Sequence, residues 1–366
     1  MNESILVTGG AGFIGSNLVR AILEKTKLQV VVLDKLSYAG SLSNLGPSLK
    51  NPRLTFVQAD IGDRASVTAI FHRHAPMQTV HLAAETHVDR SIDGPRPFYE
   101  TNVMGTLELL EAAREYYASL VGPNRDRFRF VHVSTDEVYG SLGPTGSFSE
   151  KSPMAPNSPY AASKAAGEQL ARAYWKTYEL PVIIVNPSNN FGPFQFPEKL
   201  IPLMILNAVA GKPLPIYGDG DQVRDWLFVD DHCSALLTVL EKGVVGEKYN
   251  VAGGCELRNV EVVDRICAIL EKELPPAKNR ALVVKGIEKY TDLKKFVKDR
   301  PGHDRRYALM SVKISNDLGW RRSFDFERGL ARTVRWYLDN AEWCREIAAK
   351  GYQGERLGLA VEKGAR

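Results

Sequence analysis

The segment ILVTGGAGFIGSNLVR, residues 5–20, decides the fold. Its apolar start is typical of a buried strand, and the apolar residues after the glycines repeat at the spacing of a helix. Gly9, Gly12 and Gly15 form a G-x-x-G-x-x-G pattern, and Gly10 with the last two forms G-x-G-x-x-G. Glycines there allow a tight turn and let the backbone approach a pyrophosphate at the helix start. The segment therefore predicts a dinucleotide-binding turn.

Short runs rich in Val and Ile alternate with helical patterns through the first half of the chain. After the run at Ser4, such runs begin at Val30, Leu54, Thr79, Arg129 and Pro181. Helical patterns begin at Gly15, Thr101 and Ser163. Short continuous apolar runs fit strands that are covered on both faces. The alternation predicts an α/β fold, a Rossmann-type doubly wound parallel sheet joined to a smaller mixed α/β substrate-binding domain.

The domain boundaries are predicted from changes in composition. We expect the NAD-binding Rossmann domain to span residues 1–187, with residues 226–252 returning to it as strand, helix and strand. Proline and glycine become frequent after Ser188, so residues 188–225 and 253–345 are assigned to the second domain. The charged residues 346–366 predict a C-terminal tail that is poorly ordered or packed at the edge.

Composition argues against several classes of protein. The 366 residues carry a net charge of +4, from 47 basic and 43 acidic residues, without a basic block, so nucleic acid is not an expected partner. No apolar run reaches the roughly 18 residues of a membrane span, so no membrane partner is expected. The four cysteines lack metal-binding spacing, and we expect reduced thiols, no metal and a cytoplasmic protein.

Acidic residues at two strand ends bear on the cofactor. Asp34 ends the second strand, 19 residues after Gly15, where a carboxylate accepts hydrogen bonds from ribose hydroxyls and repels a 2′-phosphate. This predicts NAD rather than NADP. Asp60 ends the third strand, where it lies either beside the adenine or in a surface turn. The predicted cofactor residues are Gly9, Gly12, Phe13, Ile14, Gly15, Asp34, Lys35, Asp60, Ile61, Leu82, Ala83, Ala84, Thr101, Tyr160 and Lys164.

The motif SPYAASKAAG places Tyr160 and Lys164 four residues apart in a helical pattern. Residues at this spacing lie on one face of a helix. Because a nearby ammonium group favours a phenolate, we expect Lys164 to lower the pKa of Tyr160, which then accepts a proton from a substrate hydroxyl. The pattern is common by chance, and its weight comes from the glycine motif and from the strand that ends in Ser134 and Thr135.

Eight segments together resemble the dTDP-glucose 4,6-dehydratases of the extended short-chain dehydrogenase/reductase superfamily. They are ILVTGGAGFIGSNLVR, HLAAETHVDRSI, STDEVYG, SPYAASKAAG, SNNFGPFQFPEKLIP, PLPIYGDGDQVRDWLFVDDH, RPGHDRRYA and WYLDN, and they cover most of residues 4–340. Related epimerases typically have small residues where Asp136 and Glu137 stand, and GDP-mannose dehydratases have serine in place of the aspartate. The acidic pair is therefore the discriminating feature.

The resemblance implies that Thr135, Asp136, Glu137, Tyr160 and Lys164 are the catalytic residues. Oxidation at C4 of a hexose acidifies the C5 proton; Glu137 then removes that proton, and Asp136 protonates the departing C6 oxygen. Thr135 hydrogen-bonds the C4 oxygen beside Tyr160, and NAD takes up hydride from C4 and returns it to C6. These roles require Asp136 to be neutral and Glu137 to be ionised when the substrate binds.

The resemblance further implies that the second domain binds the sugar nucleotide dTDP-glucose. The implied substrate residues are Thr86, His87, Asn189, Asn190, Glu198, Lys199, Leu200, Pro215, Ile216, Tyr217, Arg224, Asn259, Arg300 and His303. Arg224 has the best physical case, because a guanidinium group grips a pyrophosphate through two parallel hydrogen bonds. Its alternative is a surface salt bridge, and the alternative for His303 is a structural histidine.

Three alternatives remain open at this point. They are the UDP-glucose version of the same reaction, a C4 epimerase, and a non-catalytic NAD-binding module. Relatives in this superfamily pair two helices across a two-fold axis, and the helical patterns from Thr101 and Ser163 carry wide apolar faces. Such faces are also typical of helices that pack on a sheet. The resemblance implies a homodimer.

Overall fold

The computed structural model describes residues 3–349, which contain twelve β-strands. The strands are β1 Ser4–Thr8, β2 Gln29–Asp34, β3 Leu54–Gln58, β4 Gln78–His81, β5 Arg129–Val133, β6 Val182–Pro187, β7 Asn189–Phe191, β8 Leu214–Tyr217, β9 Val223–Phe228, β10 Lys248–Val251, β11 Glu256–Arg258 and β12 Lys294–Val297. Seven of them form one parallel sheet, in the order β10-β6-β5-β4-β1-β2-β3.

The same residues contain fifteen α-helices. The helices are α1 Phe13–Lys25, α2 Leu42–Leu45, α3 Arg64–His74, α4 Val88–Asp93, α5 Arg96–Tyr99, α6 Thr106–Ser119, α7 Pro123–Arg127, α8 Pro159–Tyr178, α9 Leu200–Val209, α10 Val229–Lys242, α11 Asn259–Glu273, α12 Arg280–Val283, α13 Val312–Leu318, α14 Phe326–Asp339 and α15 Ala341–Ala348. Shorter 3₁₀ turns are Gly46–Lys50, Asp136–Tyr139, Pro276–Lys278 and Tyr290–Leu293, and Glu100–Gly105 is a π-helical turn. No helix in the described range has the length and apolar character needed to cross a membrane.

The central sheet is buried on both faces, as its continuous apolar strands predict. Successive side chains of β1 point to opposite faces, so Ile5 and Val7 pack under α1 and α10, whereas Leu6 belongs to the apolar cluster under α3, α6 and α8. Strand order reverses between β1 and β4, which pair in parallel with Val7 opposite Val80. In sheets of this kind ligands bind at such a reversal. The predicted fold class is confirmed.

A second apolar cluster lies outside the central sheet. The three-stranded sheet β11-β9-β7, the pair β12-β8 and helices α9, α11, α14 and α15 surround it. Phe191, Trp226 and Phe228 meet at its centre, with the Phe191 and Phe228 rings 5.5 Å apart. Strand β9 crosses the predicted boundary at residue 226 and pairs here, while α10 and β10 return to the central sheet. The separate apolar clusters support a division into two domains, and the exact domain boundaries stay a prediction.

Two local features differ from the sequence prediction. The helix expected from Thr101 begins as a π-helical turn, in which the Thr106 hydroxyl donates to the Asn102 carbonyl oxygen at 2.8 Å and so competes with the α-helical ladder. The tail was predicted from residue 346, but α15 continues to Ala348 and buries Ile347. Residues 350–366 of that tail lie outside the described range.

Candidate active site

One cavity runs along the carboxyl edge of the central sheet, where loops follow β1, β2, β4, β5 and β6. It brings together most of the predicted cofactor and catalytic residues. The predicted residues that line it are Gly9, Gly12, Phe13, Ile14, Gly15, Asp34, Lys35, Ile61, Leu82, Ala83, Ala84, Thr86, Thr101, Thr135, Asp136, Glu137, Tyr160, Lys164, Asn189, Asn190, Glu198 and Lys199. Those outside its lining are Asp60, His87, Leu200, Pro215, Ile216, Tyr217, Arg224, Asn259, Arg300 and His303.

The glycine turn is shaped by close backbone approaches. Gly9 has φ of +70°, a left-handed conformation that favours glycine, and a Cβ there would lie 2.6 Å from the Ala83 nitrogen. A Cβ on Gly15 would lie 2.2 Å from the Gly9 carbonyl oxygen. The turn therefore needs glycine at both positions, and it leads into α1, whose amino end has no side-chain cap. Unpaired amide groups at a helix start favour an anionic ligand.

Asp34 is buried at the end of β2 and holds two backbone amides. Its carboxylate oxygens accept from the Ala11 nitrogen at 2.9 Å and from the Leu36 nitrogen at 2.8 Å. Burial raises the pKa of the Asp34 carboxyl, and these two hydrogen bonds and Lys35 oppose that rise. Each oxygen keeps a further lone pair, so Asp34 has capacity for the ribose hydroxyls that the sequence analysis assigned to it.

Lys35 and Asp60 form a partly exposed ion pair close to Asp34. The Lys35 ammonium donates to the Thr101 hydroxyl at 3.2 Å and lies 3.5 Å from an Asp60 carboxylate oxygen. The Asp60 side chain is half exposed and accepts from the Gly62 nitrogen at 2.9 Å. Asp60 thus lies in a turn at the surface, outside the cavity lining, and its contact with the adenine stays a prediction.

The acidic pair stands where β5 ends and a 3₁₀ turn begins. Thr135 caps this turn, because its hydroxyl oxygen accepts from the Glu137 nitrogen at 3.3 Å. The same hydroxyl lies 3.2 Å from an Asp136 carboxyl oxygen, to which it donates. The second carboxyl oxygen of Asp136 is buried without a partner among the described residues. The turn thus presents both acids to the cavity while burying Asp136 more deeply.

The surroundings separate the two acids electrostatically. Burial, followed by the charges of Glu137 and Asp225, raises the pKa of Asp136 well above its usual range. Burial also raises the pKa of Glu137, but Arg300, Arg224 and Lys199 oppose that rise. The nearby cations therefore favour an ionised Glu137 beside a neutral Asp136. This is the division of protonation states that the predicted roles require.

Tyr160 and Lys164 occupy one face of α8, as predicted, but the predicted direction of the Tyr160 pKa is wrong. Burial raises that pKa, Glu137 raises it further, and a hydrogen bond with Thr135 only partly opposes the change. The Lys164 ammonium donates to the Val133 carbonyl oxygen at 2.7 Å. Burial lowers the pKa of Lys164 to about 8. Sequence spacing could not reveal that burial dominates the pKa of Tyr160.

Glu198 and Lys199 close the cavity on the side of the second apolar cluster. Glu198 accepts from the Tyr38 hydroxyl at 2.9 Å and from the Arg90 Nε at 2.8 Å. The Arg90 guanidinium lies 4.3 Å from the centre of the Tyr38 ring. Lys199 donates to the Thr86 carbonyl oxygen at 2.8 Å. These contacts join the loop after β2 to the segment before α9.

A cluster of cations lies next to Glu137 without lining the same cavity. Arg300 pairs with Asp89 at 2.9 Å, and Tyr217 donates to the same carboxylate at 3.2 Å. The His303 Nδ1 lies 2.6 Å from an Asp299 carboxylate oxygen. The sequence analysis missed Asp89, although it lies in the quoted HLAAETHVDRSI segment, because its partners Arg300 and Tyr217 are more than 120 residues away in the chain.

Arg224 is buried beside Glu137. It donates to the carbonyl oxygens of Val223 at 2.8 Å and Asp304 at 3.0 Å, and its guanidinium lies 4.4 Å from the Tyr307 ring centre. The surface salt bridge that was its alternative is therefore wrong. Two of the five guanidinium hydrogens are used in this way, so Arg224 keeps donors for an anionic ligand.

The remaining predicted residues fall into structural and polar groups. Ile216 is buried in the second apolar cluster, and Pro215 precedes it in β8, so a ligand would contact the backbone of these two residues. Leu200 is the first residue of α9. His87 caps α4 by accepting from the Arg90 nitrogen. The Asn190 side-chain oxygen lies 3.0 Å from His232, a residue the sequence analysis did not assign. The side-chain oxygens of Asn189 and Asn259 are buried without protein partners in the described range.

These features fit NAD as the cofactor. The glycine turn leaves room that a Cβ would fill, and it lies between the start of α1 and the buried carboxylate of Asp34. Asp34, at the end of β2, suits ribose hydroxyls and disfavours the phosphate of NADP. The cavity then continues to Tyr160 and the acidic pair, so a dinucleotide and a substrate can share it.

Comparison with known proteins gives a consistent set of relatives. The family model described as GDP-mannose 4,6 dehydratase matches residues 6–333. A dTDP-glucose 4,6-dehydratase of Neisseria meningitidis serogroup B is 55% identical over 357 residues, which cover 97% of this chain and 99% of the relative. A second dTDP-glucose 4,6-dehydratase, from Escherichia coli, is 50% identical and covers the same shares.

Solved structures agree with these relatives. The crystal structure of DesIV, a dTDP-glucose 4,6-dehydratase from Streptomyces venezuelae with NAD and TYD bound, has a TM-score of 0.84 and 45% identity, covering 94% of this chain and 99% of that one. A UDP-glucose 4-epimerase from Thermotoga maritima with UDP-glucose has a TM-score of 0.79 but only 29% identity, covering 93% of this chain and all of that one. The fold is thus similar in both, and the sequence is more similar to the dehydratases.

Replacing Asp34 by Ala tests cofactor selection. The parent protein should bind NAD more tightly than NADP, and Asp34→Ala should reduce that ratio roughly 10-fold or more, because a charged acceptor of ribose hydroxyls is lost. Asp34→Asn, which keeps an oxygen for the Ala11 amide, controls for damage to the turn. Affinities are measured by fluorescence titration. Equal affinity of the parent protein for NAD and NADP would contradict the assignment.

The raised pKa of Asp136 predicts a pH-dependent stability. In the unfolded chain the Asp136 carboxyl loses its proton near its usual pKa of 3.8, whereas the folded protein keeps that proton to higher pH. Above pH 3.8, Asp136 therefore lowers the stability of the fold as pH rises. Asp136→Asn should therefore raise the melting temperature at pH 7, and the gain should vanish below about pH 3.8. Asp219, whose pKa is lowered, is the control, since Asp219→Asn should not stabilise. A lower melting temperature for Asp136→Asn at pH 7 would refute the prediction.

Proposed function

The chain belongs to the GDP-mannose 4,6 dehydratase family, and from its similarity to dTDP-glucose 4,6-dehydratases within that family we propose that it is an NAD-dependent dTDP-glucose 4,6-dehydratase. The product is a 4-keto-6-deoxy sugar nucleotide, and the reaction is a hydro-lyase reaction without net redox change. The observation that carries the proposal is the acidic pair Asp136 and Glu137, placed beside Tyr160 in one cavity and held in different electrostatic surroundings. An epimerase has no need for such a pair.

Oxidation at C4 requires Tyr160 as the phenolate, whose oxygen then accepts the proton of the C4 hydroxyl. Thr135 donates its one hydroxyl hydrogen to Asp136 in this structure, and with substrate bound it would donate that hydrogen to the C4 oxygen instead. NAD, when bound, supplies the hydride acceptor for C4, the hydride donor for C6 and a positive charge. Lys164 lies one helical turn from Tyr160 and is held by the Val133 carbonyl oxygen.

Elimination of water needs a base at C5 and an acid at C6. Glu137 accepts the C5 proton, and the electron pair of the C–H bond forms the C5–C6 double bond as the C6–O bond breaks. Asp136 gives its proton to that oxygen, which leaves as water. After elimination Glu137 is protonated and Asp136 is ionised. Hydride returns to C6 and the Glu137 proton goes to C5, which leaves Glu137 ionised again. Asp136 regains a proton from solvent, and Tyr160 releases to solvent the proton that it took from the C4 hydroxyl, so the net change is the loss of one water.

Positive side chains give the substrate diphosphate a place to bind. Arg224, Arg300 and Lys199 all act on the charge of Glu137, so they surround the space next to it. Arg224 is buried, and two backbone carbonyl groups fix the orientation of its guanidinium group. Its remaining N–H donors therefore also have a fixed direction. We assign these three residues to the diphosphate and Tyr217 and His303 to the neighbouring nucleoside.

Glu137→Gln separates elimination from oxidation. The amide cannot accept the C5 proton, so turnover should fall roughly 10²- to 10⁴-fold. Oxidation at C4 should survive, and bound reduced cofactor should accumulate, as measured by near-ultraviolet absorbance. Tyr160→Phe is the matched control, because it should slow turnover without accumulation of reduced cofactor. In deuterium oxide, Glu137→Gln should also fail to incorporate deuterium at C5. Full incorporation at the parent rate would show that another residue is the C5 base.

Substrate identity is tested by offering dTDP-glucose, UDP-glucose and GDP-mannose separately to the parent protein. Formation of 4-ketosugar with incorporation of solvent deuterium at C5 should be fastest with dTDP-glucose. Faster turnover of UDP-glucose would identify the UDP-glucose dehydratase instead. Interconversion of C4 stereoisomers would identify an epimerase, and no turnover of any sugar would leave a non-catalytic NAD-binding protein.

The proposal includes a cytoplasmic homodimer. Four free cysteine thiols support a reducing compartment. For the dimer, α6 and α8 pack side by side through a 2.6 Å hydrogen bond from Tyr174 to Glu111. Large apolar side chains remain exposed around this helix pair, with Tyr99 at 43%, Met104 at 52% and Tyr178 at 48%. A second copy placed on this surface would cover them.

Met104→Lys tests the homodimer. A charge at the centre of an apolar contact should raise the dimer dissociation constant about 10-fold or more. Val284, which is 78% exposed outside this surface, provides the control Val284→Lys. Sedimentation velocity over a range of concentrations measures both. A parent protein that is monomeric at micromolar concentration, or equal effects of the two substitutions, would contradict this surface as the interface.

A further inference from the structure

A buried ion pair lies behind the catalytic turn, on residues that the mechanism above does not use. Glu168 on α8 is 1% exposed, and one of its carboxylate oxygens lies 3.0 Å from the Lys248 ammonium on the edge strand β10. Removing both charges from water is costly, and apolar residues of similar size often stabilise a fold as well or better. Stability alone therefore does not account for an acid at this position.

Glu168 is connected to the catalytic turn through one side chain. Its second carboxylate oxygen accepts from the Asn186 Nδ2 at 2.8 Å, and the same nitrogen donates to the Thr135 carbonyl oxygen at 3.0 Å. Asn186 is fully buried in β6, and its side-chain oxygen has no partner among the described residues. Both hydrogens of the amide nitrogen are thus used, and the carboxylate fixes the direction of the one given to Thr135.

Lys248 supports the other end of the same turn. Its ammonium lies 4.9 Å from the centre of the Tyr139 ring, and the Tyr139 hydroxyl donates to the Asn250 side-chain oxygen at 2.8 Å. Tyr139 ends the 3₁₀ turn that Thr135 caps. The turn is therefore held at both ends from α8, β6 and β10, with Asp136 and Glu137 between the two points of support.

We propose that Glu168 is a positioning residue for dehydration, which through Asn186 fixes the Thr135 carbonyl group and so the reacting side chains of the turn. This inference rests on the proposed function and deepens it. Small displacements of a reacting group reduce rates strongly, by up to about 10²-fold for 1 Å. Glu168 also lies one helical turn from Lys164, whose pKa its charge raises against the effect of burial.

Two double variants isolate the hydrogen bond from the charge. Glu168→Leu with Lys248→Met removes the ion pair and the acceptor for Asn186, whereas Glu168→Gln with Lys248→Met removes the ion pair but keeps an acceptor oxygen. The first should lower kcat roughly 10- to 100-fold with KM within threefold and no loss in melting temperature. The second should keep kcat within about threefold of the parent value, which a purely structural role of the charges would not produce.

The neighbouring pair Glu247 and Lys313 supplies a matched control. Their charged groups lie 2.5 Å apart, beside the same strand β10, and within residues 3–349 no hydrogen bond or ion pair joins either side chain to the catalytic turn. Glu247→Gln with Lys313→Met should therefore leave kcat unchanged. If Glu168→Leu with Lys248→Met also keeps kcat within threefold, or if the Gln and Leu variants lose activity equally, the positioning role is refuted.

Hydrogen exchange separates failure of this inference from failure of the proposed function. Peptides that contain residues 135–140 should exchange faster in the Glu168→Leu double variant than in the parent and in the Gln variant. This measurement needs no substrate, so it tests the positioning even if the parent protein makes no 4-ketosugar. Unchanged exchange in this segment for the Leu variant would overturn the inference, whatever the activity of the parent.

Discussion

The parallel hydrogen bonding of the central sheet is the constraint on which the rest of the molecule depends. Because every strand of this sheet runs in the same direction, the carboxyl ends of β1, β2, β4, β5 and β6 meet at one edge. The glycine turn, Asp34, the segment from Leu82, the acidic pair and Asn189 each follow one of these strands. Residues separated by more than 170 positions in the chain therefore share one cavity, and the chemistry of the site follows from the topology.

Burial is the second constraint, and it acts on the acids and on the tyrosine in the same direction. Removing a group from water favours its neutral form, so the pKa values of Asp136, Glu137 and Tyr160 all rise. What distinguishes the three groups is the charge next to each one. The cations Lys199, Arg224 and Arg300 lower the pKa of Glu137, whereas the acids Glu137 and Asp225 raise the pKa of Asp136. Segments after β6 supply these three cations and so help to distinguish two adjacent carboxyl groups.

Residues whose role depends on local backbone geometry could be predicted from the sequence. The spacing of Gly9, Gly12 and Gly15 indicates a turn that depends on the positive φ of Gly9 and on the close approach of Gly15 to the Gly9 carbonyl oxygen. Asp34 is predicted because it ends the second strand. Contacts between distant segments could not be predicted in this way. Neither the two carbonyl groups that hold Arg224 nor the pairing of Asp89 with Arg300 leaves a pattern in neighbouring residues.

The position of β10 at the edge of the sheet has a consequence for synthesis of the chain. Translation releases residues from the amino terminus onward, and the first six strands of the sheet end at Pro187. The strand that carries Lys248 emerges about 60 residues later, after β7, β8, β9 and α10. A nascent chain on the ribosome can therefore form the glycine turn and complete the dinucleotide half of the cavity while the catalytic turn still lacks its outer strand, so assembly of the cofactor site precedes assembly of the catalytic one.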